Sequence, residues 1–373
     1  VKLLVASPYY PPSIGGAQGY ARSIACGLAR SFGWEVVVVT TNHAEPSRWA
    51  EEERDGLRIL RLPRWLRLSN TPMSLRWPAT LRGILQRERP DLVNGHAPVP
   101  VFADVAARIA RAQGVPFVLT YHSGSMVRPG FALNGAVRLY ERLVLPRTCD
   151  LAARIVCSSE SVRAHLGRPA AVTITPGTAL PVRAPAASTG SRRILFVGSL
   201  DGSSAWKGID VLVRAMQRVQ RAWPDALLTF VGDGDGLPGH RRRCERAGVR
   251  TEFRGARFGE ELSAEYARCA MLVLPSISEA ESFGMVLVEA MAHGRPVIGS
   301  RIGGIPLVVR DGRDGLLVPP GDPAALASAI ESLLADPARA DALGAHGRAA
   351  AARYDWAPRV EQTHRIFAEV VSS

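Results

Sequence analysis

The segment from Glu279 to Val297 reads EAESFGMVLVEAMAHGRPV and, after its leading Glu279, places the carboxylates Glu281 and Glu289 eight positions apart in a mostly apolar run. MLVLPS before it reads as a strand and SISEAES as a polar loop, so Glu281 falls ahead of a helix. FGMVLVEAMAHG has the composition of a buried helix, ended by Gly294 with Pro296 beyond. Glu289 is then expected about two turns inside it. Eight positions advance a helix by ~12 Å and return the side chain to within about 80° of the same face. The two carboxylates can therefore address two parts of one elongated ligand. Phe283 and Gly284 open the helix, where free N–H groups bind phosphate and glycine permits close backbone approach. A phosphate at the helix start, one hydroxylated group near Glu281 and another near Glu289 is the layout of a nucleotide sugar.

The elements that must position these residues are legible as a rhythm of short apolar runs, polar turns and longer helical stretches. Strands are expected at 2–6, 35–40, 91–96, 116–121 and 154–159, then at 193–198, 227–232, 271–276 and 296–300. Continuous Val, Ile and Leu runs, without alternation, mark strands covered on both faces, hence parallel sheets with helices between them. A chain of 373 residues is long for one core. The Pro, Ala and Ser-rich stretch 178–193 reads as a linker. The expected fold is α/β, with two doubly wound Rossmann-like domains facing across a cleft. Residues 1–180 form the first domain and 190–355 the second, and the helix 356–373 packs back toward the first. Ligands of such sheets collect at the carboxyl ends of the strands.

Charge and cysteine usage narrow the class. A net charge of +12 implies attraction to anions. Lys2 and Lys207 are the only lysines among 46 basic residues. The five cysteines are widely spaced without a C-x-x-C, which disfavours a disulfide framework or zinc site and favours a reducing compartment. The opening apolar run is too short for a signal peptide, and no run approaches the ~18 apolar residues of a spanning helix. The expected location is cytoplasmic.

E-x-F-G followed by E-A-M-A-x-G-x-P-V closely resembles the retaining glycosyltransferases of family four, which have the GT-B fold. The resemblance implies that Glu281 contacts the donor sugar and Glu289 the ribose hydroxyls. It extends through most of the chain. Gly15 and Gly16, after the first strand, resemble the family's phosphate-approaching loop. His122 in LTYHSGS resembles the T-x-H histidine close to the reaction centre, and His96 in DLVNGH ranks below it. ILFVGSLDGSSAWKG resembles the glycine-ended strand followed by K-G, so Gly198 and Lys207 are expected against the donor diphosphate, together with Ser282, Phe283 and Gly284. Taken singly, each also reads as ordinary structure: Glu289 and Lys207 as surface charges, His122 as a structural histidine, the glycine pair as a turn. Two departures stand out. Ser199 occupies the place of the family's arginine, and Pro176, Gly177, Thr178 and Ala179 stand where it has Asn-Gly-Val-Asp.

By that resemblance the reaction is transfer of a sugar from a UDP- or GDP-linked donor to an acceptor hydroxyl with retention, and the catalytic set is His122, Glu281 and Lys207. No metal is expected, since lysine and helix dipoles replace the divalent ion. Asp233 and Asp235 in GDGDG read as a turn, and loops 232–236 and 254–259 are candidates for base recognition. Residues 58–89 contain eight arginines against Glu88, interleaved with Trp65 and Trp77. They could dock on an anionic membrane surface, at the inner face, to reach a lipid-linked saccharide or glycolipid. A solvated arginine-rich face is the alternative. The basic segment 127–147 could line the acceptor entrance. Competing functions are a sugar-nucleotide epimerase of the same architecture, a transferase acting on a small soluble metabolite and, more distantly, a polyanion binder. No nucleic-acid recognition motif is present.

Overall fold

A computed structural model describes residues 1–13, 15–69, 71–127, 133–178 and 190–373. It divides into two compact units, Val1–Pro176 with Trp356–Ser373, and Gly177–Asp355. Most of the expected linker, residues 179 to 189, lies outside the described residues, as do 128–132 of the segment assigned to the acceptor entrance and Ala179 of the departed turn.

The strands of the first unit are β1 (Lys2–Ala6), β2 (Glu35–Thr41), β3 (Ala50–Arg54), β4 (Leu57–Leu62), β5 (Leu66–Leu68), β6 (Thr71–Met73), β7 (Leu92–Ala97), β8 (Phe117–Tyr121), β9 (Arg154–Cys157) and β10 (Val172–Thr173). Its helices are α1 (Gly16–Phe32), α2 (Trp77–Glu88), α3 (Phe102–Ala112), α4 (Asn134–Leu143), α5 (Leu145–Asp150) and α6 (Glu160–Leu166). Eight strands form one sheet in the order β10, β9, β8, β7, β1, β2, β4, β3, and β5 pairs with β6 separately. All pairs in the large sheet are parallel except β3 with β4. Leu3, Val5, Val36 and Val38 pack into one hydrophobic cluster, whereas Leu4, Val37 and Val39 pack into another. Neighbouring residues of one strand thus serve opposite faces, which is why these strands carry no polar alternation.

The second unit contains β11 (Arg193–Val197), α7 (Ile209–Ala222), β12 (Leu227–Val231), α8 (Leu237–Arg246), β13 (Thr251–Phe253), α9 (Gly259–Arg268), β14 (Met271–Leu274), α10 (Met285–Ala292), β15 (Val297–Ser300), α11 (Ile305–Val308), β16 (Leu316–Val318), α12 (Pro323–Ala335) and α13 (Pro337–Ala351). Its sheet runs β13, β12, β11, β14, β15, β16, and every pair is parallel. The order reverses between β11 and β14, so the loops after these two strands flank the crevice where doubly wound sheets bind ligands. The terminal helix α14 (Trp356–Ser372) belongs to the first unit and lies against α1. A Cβ at Gly27 of α1 would sit 2.4 Å from the Val360 side chain. Phe32 stacks on His364 at 3.9 Å between ring centroids.

Residues 58–89 are not one basic surface. Leu57–Leu62 is an interior strand, and Arg61, almost fully buried, bonds Glu52 and the Pro11 carbonyl. Arg58 and Arg87 both reach the buried Glu88. Trp77 lies in the core, and its indole N–H donates to the Pro63 carbonyl at 3.0 Å. The surface keeps Arg82 and Arg87 of α2 with Arg89 after it, and separately the β5–β6 hairpin and its flanks, with Trp65, Leu66, Leu68 and Leu75 exposed. Among the described residues, no helix is long and apolar enough to cross a membrane.

Candidate active site

Lys207 and Glu281 stand 74 positions apart, and the switch-point topology brings them together. Lys207 Nζ donates to Glu281 Oε2 at 3.2 Å, and Ser276 Oγ donates to the same oxygen at 3.1 Å. Both charged side chains are largely buried, at 16% and 10% exposure, which limits solvent screening of the pair. Glycines explain why the loops approach so closely. Gly208, at φ +72°, lies so near the loop after β14 that a Cβ there would be 1.9 Å from the Pro275 carbonyl oxygen. Ile277 N–H donates to the Trp206 carbonyl across the same contact at 2.8 Å. The Lys207 stem runs past Gly198, where a Cβ would lie 3.3 Å from Lys207 Cδ, and the ammonium sits over the Trp206 ring at 4.4 Å.

The loop carrying Glu281 and Ser282 rests on Gly303 and Gly304. A Cβ on Gly303 would be 2.2 Å from the Glu281 carbonyl oxygen, and one on Gly304 would be 1.9 Å from that of Ser282. Gly304 N–H donates to the Glu281 carbonyl at 2.9 Å. Gly284, in the left-handed region at φ 79°, then starts α10. The helix begins later than expected, at Met285, so Glu289 is about one turn inside it and not two. Because 281–284 is not helical, the spacing argument for a shared face does not apply; the loop sets where Glu281 lies. Phe283 precedes the helix. Its ring is buried in the core against Tyr354 at 5.5 Å, so what it can offer a ligand is its backbone.

Glu289 Oε2 accepts a short hydrogen bond from the Tyr266 hydroxyl. Burial pushes the carboxyl above its usual range and the tyrosine hydroxyl works in the opposite direction. His293 anchors this end of α10, with Nδ1 on the Glu289 carbonyl at 2.8 Å and Nε2 on Ser263 Oγ at 2.7 Å. Ser199, in the place of the family's arginine, turns into its own loop, bonding Asp201 at 2.7 Å and receiving a hydrogen bond from Ser204 at 3.2 Å. Asp235 accepts from Gly202 N–H at 2.7 Å, so it fastens the loop after β12 to the loop after β11. No cluster of three potential metal ligands occurs among the described residues.

In the first unit, Gly16 is exposed at the start of α1, directly after the loop leaving β1. His122 follows β8, its backbone N–H bonded to the Ala97 carbonyl at 3.0 Å. Its Nε2 meets Nδ1 of His96 at 2.8 Å. Burial holds both imidazoles neutral: that of His122 is lowered to about 3, and that of His96 well below its ordinary value. Tyr20 packs edge-on over the His122 ring at 5.0 Å. Sequence reasoning ranked His96 low and missed Ser276, Tyr266, Gly303 and Gly304. The adjacent glycines in SRIGGIP were the one visible signal among them.

Two Rossmann-like units, the second with a lysine and a carboxylate converging at its switch point, define the GT-B class of nucleotide-sugar enzymes. Residues 191–336 match the family model for glycosyl transferases group 1, and residues 15–183 match that of a glycosyl transferase 4-like domain. A glycogen synthase of Mycobacterium tuberculosis is 30% identical over 98% of this chain and 94% of its own length. The sulfoquinovosyl transferase SQD2 of Arabidopsis thaliana is 26% identical over 88% of this chain, which covers 65% of that protein. The solved structure of sucrose-phosphate synthase from Thermosynechococcus elongatus superposes with a TM-score of 0.80 at 26% identity, covering 100% of this chain and 99% of that one. The chain belongs to the family-four glycosyltransferases and uses a nucleotide-sugar donor.

Proposed function

We propose that the enzyme moves a hexose, with retention of configuration, from a UDP- or GDP-linked donor to a hydroxyl of a lipid-linked saccharide or glycolipid in cell-surface polysaccharide synthesis. Glu289 receives the ribose hydroxyls on the oxygen that Tyr266 leaves available. Glu281 receives a hydroxyl of the donor sugar. Lys207, with backbone N–H groups at Ser282, Phe283 and Gly284, faces the diphosphate; Gly198, whose own N–H is held by the Val231 carbonyl at 3.0 Å, contributes by leaving room for the Lys207 stem. Gly16 offers a further N–H to the diphosphate or acceptor, and His122 meets a sugar hydroxyl. The bond from the anomeric carbon to the diphosphate oxygen breaks and its electron pair stays on the leaving group. The acceptor oxygen bonds to that carbon from the same face, and its proton passes to the departing phosphate oxygen. The Lys207 ammonium balances the charge that grows there, so the step needs no metal ion.

The observation that carries this reading is the Lys207–Glu281 contact at 3.2 Å, which couples a diphosphate countercharge to a hydroxyl acceptor at one switch point. The lipid acceptor is supported by the exposed Trp65, Leu66, Leu68 and Leu75 beside Arg64, Arg67 and Arg76, a composition suited to peripheral contact with an anionic membrane at its cytoplasmic face. The relatives' names point to different sugars and products, so a small soluble acceptor is the second reading. The test incubates the protein with labelled UDP- and GDP-sugars and either a membrane lipid extract or a soluble metabolite fraction. Labelled glycolipid whose anomeric configuration matches the donor, and which is absent with Lys207→Ala, supports the proposal. Label confined to soluble products overturns the lipid acceptor, and inverted configuration overturns the mechanism.

A further inference from the structure

Two imidazoles end neighbouring strands of the first sheet. His96 is in β7, opposite Thr120 of β8, and His122 follows β8 directly. Their rings lie nearly parallel, 13° apart with centroids at 5.1 Å, and His96 Nδ1 meets His122 Nε2 at 2.8 Å. Tyr20 closes over both edges, at 6.4 Å from His96 and 5.0 Å from His122, and its hydroxyl is tied to the Ile174 carbonyl. Beneath them, the Asn94 amide bonds Thr120 Oγ1 at 2.9 Å and the Val118 carbonyl at 3.1 Å, fixing the register of the two strands. Exposure is 3% for His96 and 8% for His122.

A neutral imidazole has one N–H and one bare nitrogen. Two neutral rings that share a hydrogen bond place one proton in that bond. The two remaining nitrogens, His96 Nε2 and His122 Nδ1, therefore carry one proton between them. When His96 Nδ1 donates, His122 presents Nδ1–H; when His122 Nε2 donates, it presents a bare Nδ1. His122 alone would exchange between the two forms. We infer that His96 is a positioning residue that couples, through this hydrogen bond, the tautomer of His122 to its own, so that the form His122 presents to the sugar hydroxyl cannot exchange by itself. The inference rests on the proposal that His122 meets that hydroxyl. It assigns His96 no contact with substrate.

The test is nitrogen NMR of the full chain labelled in its histidine rings, on wild type, His96→Leu and His96→Asn, each first shown to be folded by circular dichroism. Wild type is expected to hold His122 in one tautomer. His96→Leu is expected to give averaged His122 nitrogen shifts, and His96→Asn, whose amide reaches the place of Nδ1, to restore the single form. In parallel, turnover of UDP-glucose and GDP-mannose in water is expected to fall about tenfold to a hundredfold in kcat for His96→Leu, with KM little changed, as for outer partners that orient metal-bound histidines. An unchanged His122 tautomer in His96→Leu overturns the positioning role while leaving His122 itself in place. Wild-type turnover by His122→Ala overturns the reading of His122, and the inference with it. A packing role alone would lower stability without moving the tautomer.

Discussion

Replacing Gly208 by alanine tests whether the Lys207–Glu281 geometry depends on backbone approach. An L-residue at φ +72° costs about 1–2 kcal/mol in the left-handed region. The new Cβ also falls 1.9 Å from the Pro275 carbonyl oxygen, so that strand end must retreat by at least about 1 Å. Retreat stretches the Ile277 N–H bond to the Trp206 carbonyl, now 2.8 Å and worth about 0.5–1.5 kcal/mol. Together these give a loss of about 1.5–3.5 kcal/mol in the second unit. It also draws Ser276 and Glu281 away from Lys207, so nucleotide affinity falls with stability. Urea unfolding followed by circular dichroism measures the first effect, and the transition belonging to the second unit is the one that saturating nucleotide shifts. The comparison is Gly83→Ala in α2, where a Cβ meets nothing within 4 Å and a gain of about 0.5–1 kcal/mol is expected. A Gly208→Ala protein within about 0.5 kcal/mol of wild type would refute the packing argument.

Glu289→Gln should separate stability from binding. Because burial raises the Glu289 carboxyl, the folded state holds that proton more tightly than the unfolded chain, and stability is lost as pH rises through the folded value. The glutamine variant should therefore gain on wild type in denaturant midpoint as pH rises above about 4.5, while nucleotide affinity falls roughly tenfold to a hundredfold. Parallel stability curves would contradict the burial argument. Acid acts oppositely through His122. Its folded value is lowered to about 3, so the unfolded chain takes up the proton first and stability is lost as pH falls below about 6.5, by up to about 1.4 kcal/mol per pH unit. His122→Asn should make the fall in melting temperature of the first unit between about pH 6.5 and 5 shallower, the buried His96 retaining part of it; an unchanged slope would assign acid sensitivity to other groups.

The parallel strands were legible because burial on both faces leaves unbroken apolar runs, and all nine expected strands occur within a residue or two of their positions. β4 was obscured because Arg58 and Arg61 interrupt its apolar residues, their charges being met by Glu51, Glu52 and Glu88 from distant positions. β3 reads AEEER because it is an antiparallel edge strand with one neighbour and mostly exposed residues. β13 and β16 have three residues each, too few to show a period. In the site, the E-x-F-G and K-G motifs pointed to the loops that do meet. The contact between them depends on Gly208, Gly303 and Gly304, whose sequence signature is that of any turn. The His96–His122 pair required strand register, which separate runs of sequence do not contain.

The central claim is that the second unit holds a nucleoside diphosphate through Glu289 on α10. Calorimetric titration of the purified protein with UDP, GDP, ADP and dTDP, beside a folded Glu289→Ala variant, tests it most directly. The account predicts that one nucleotide binds in preference to the others and that the variant loses that binding. Equal binding by the variant, or no binding of any nucleotide by folded wild-type protein, would contradict it.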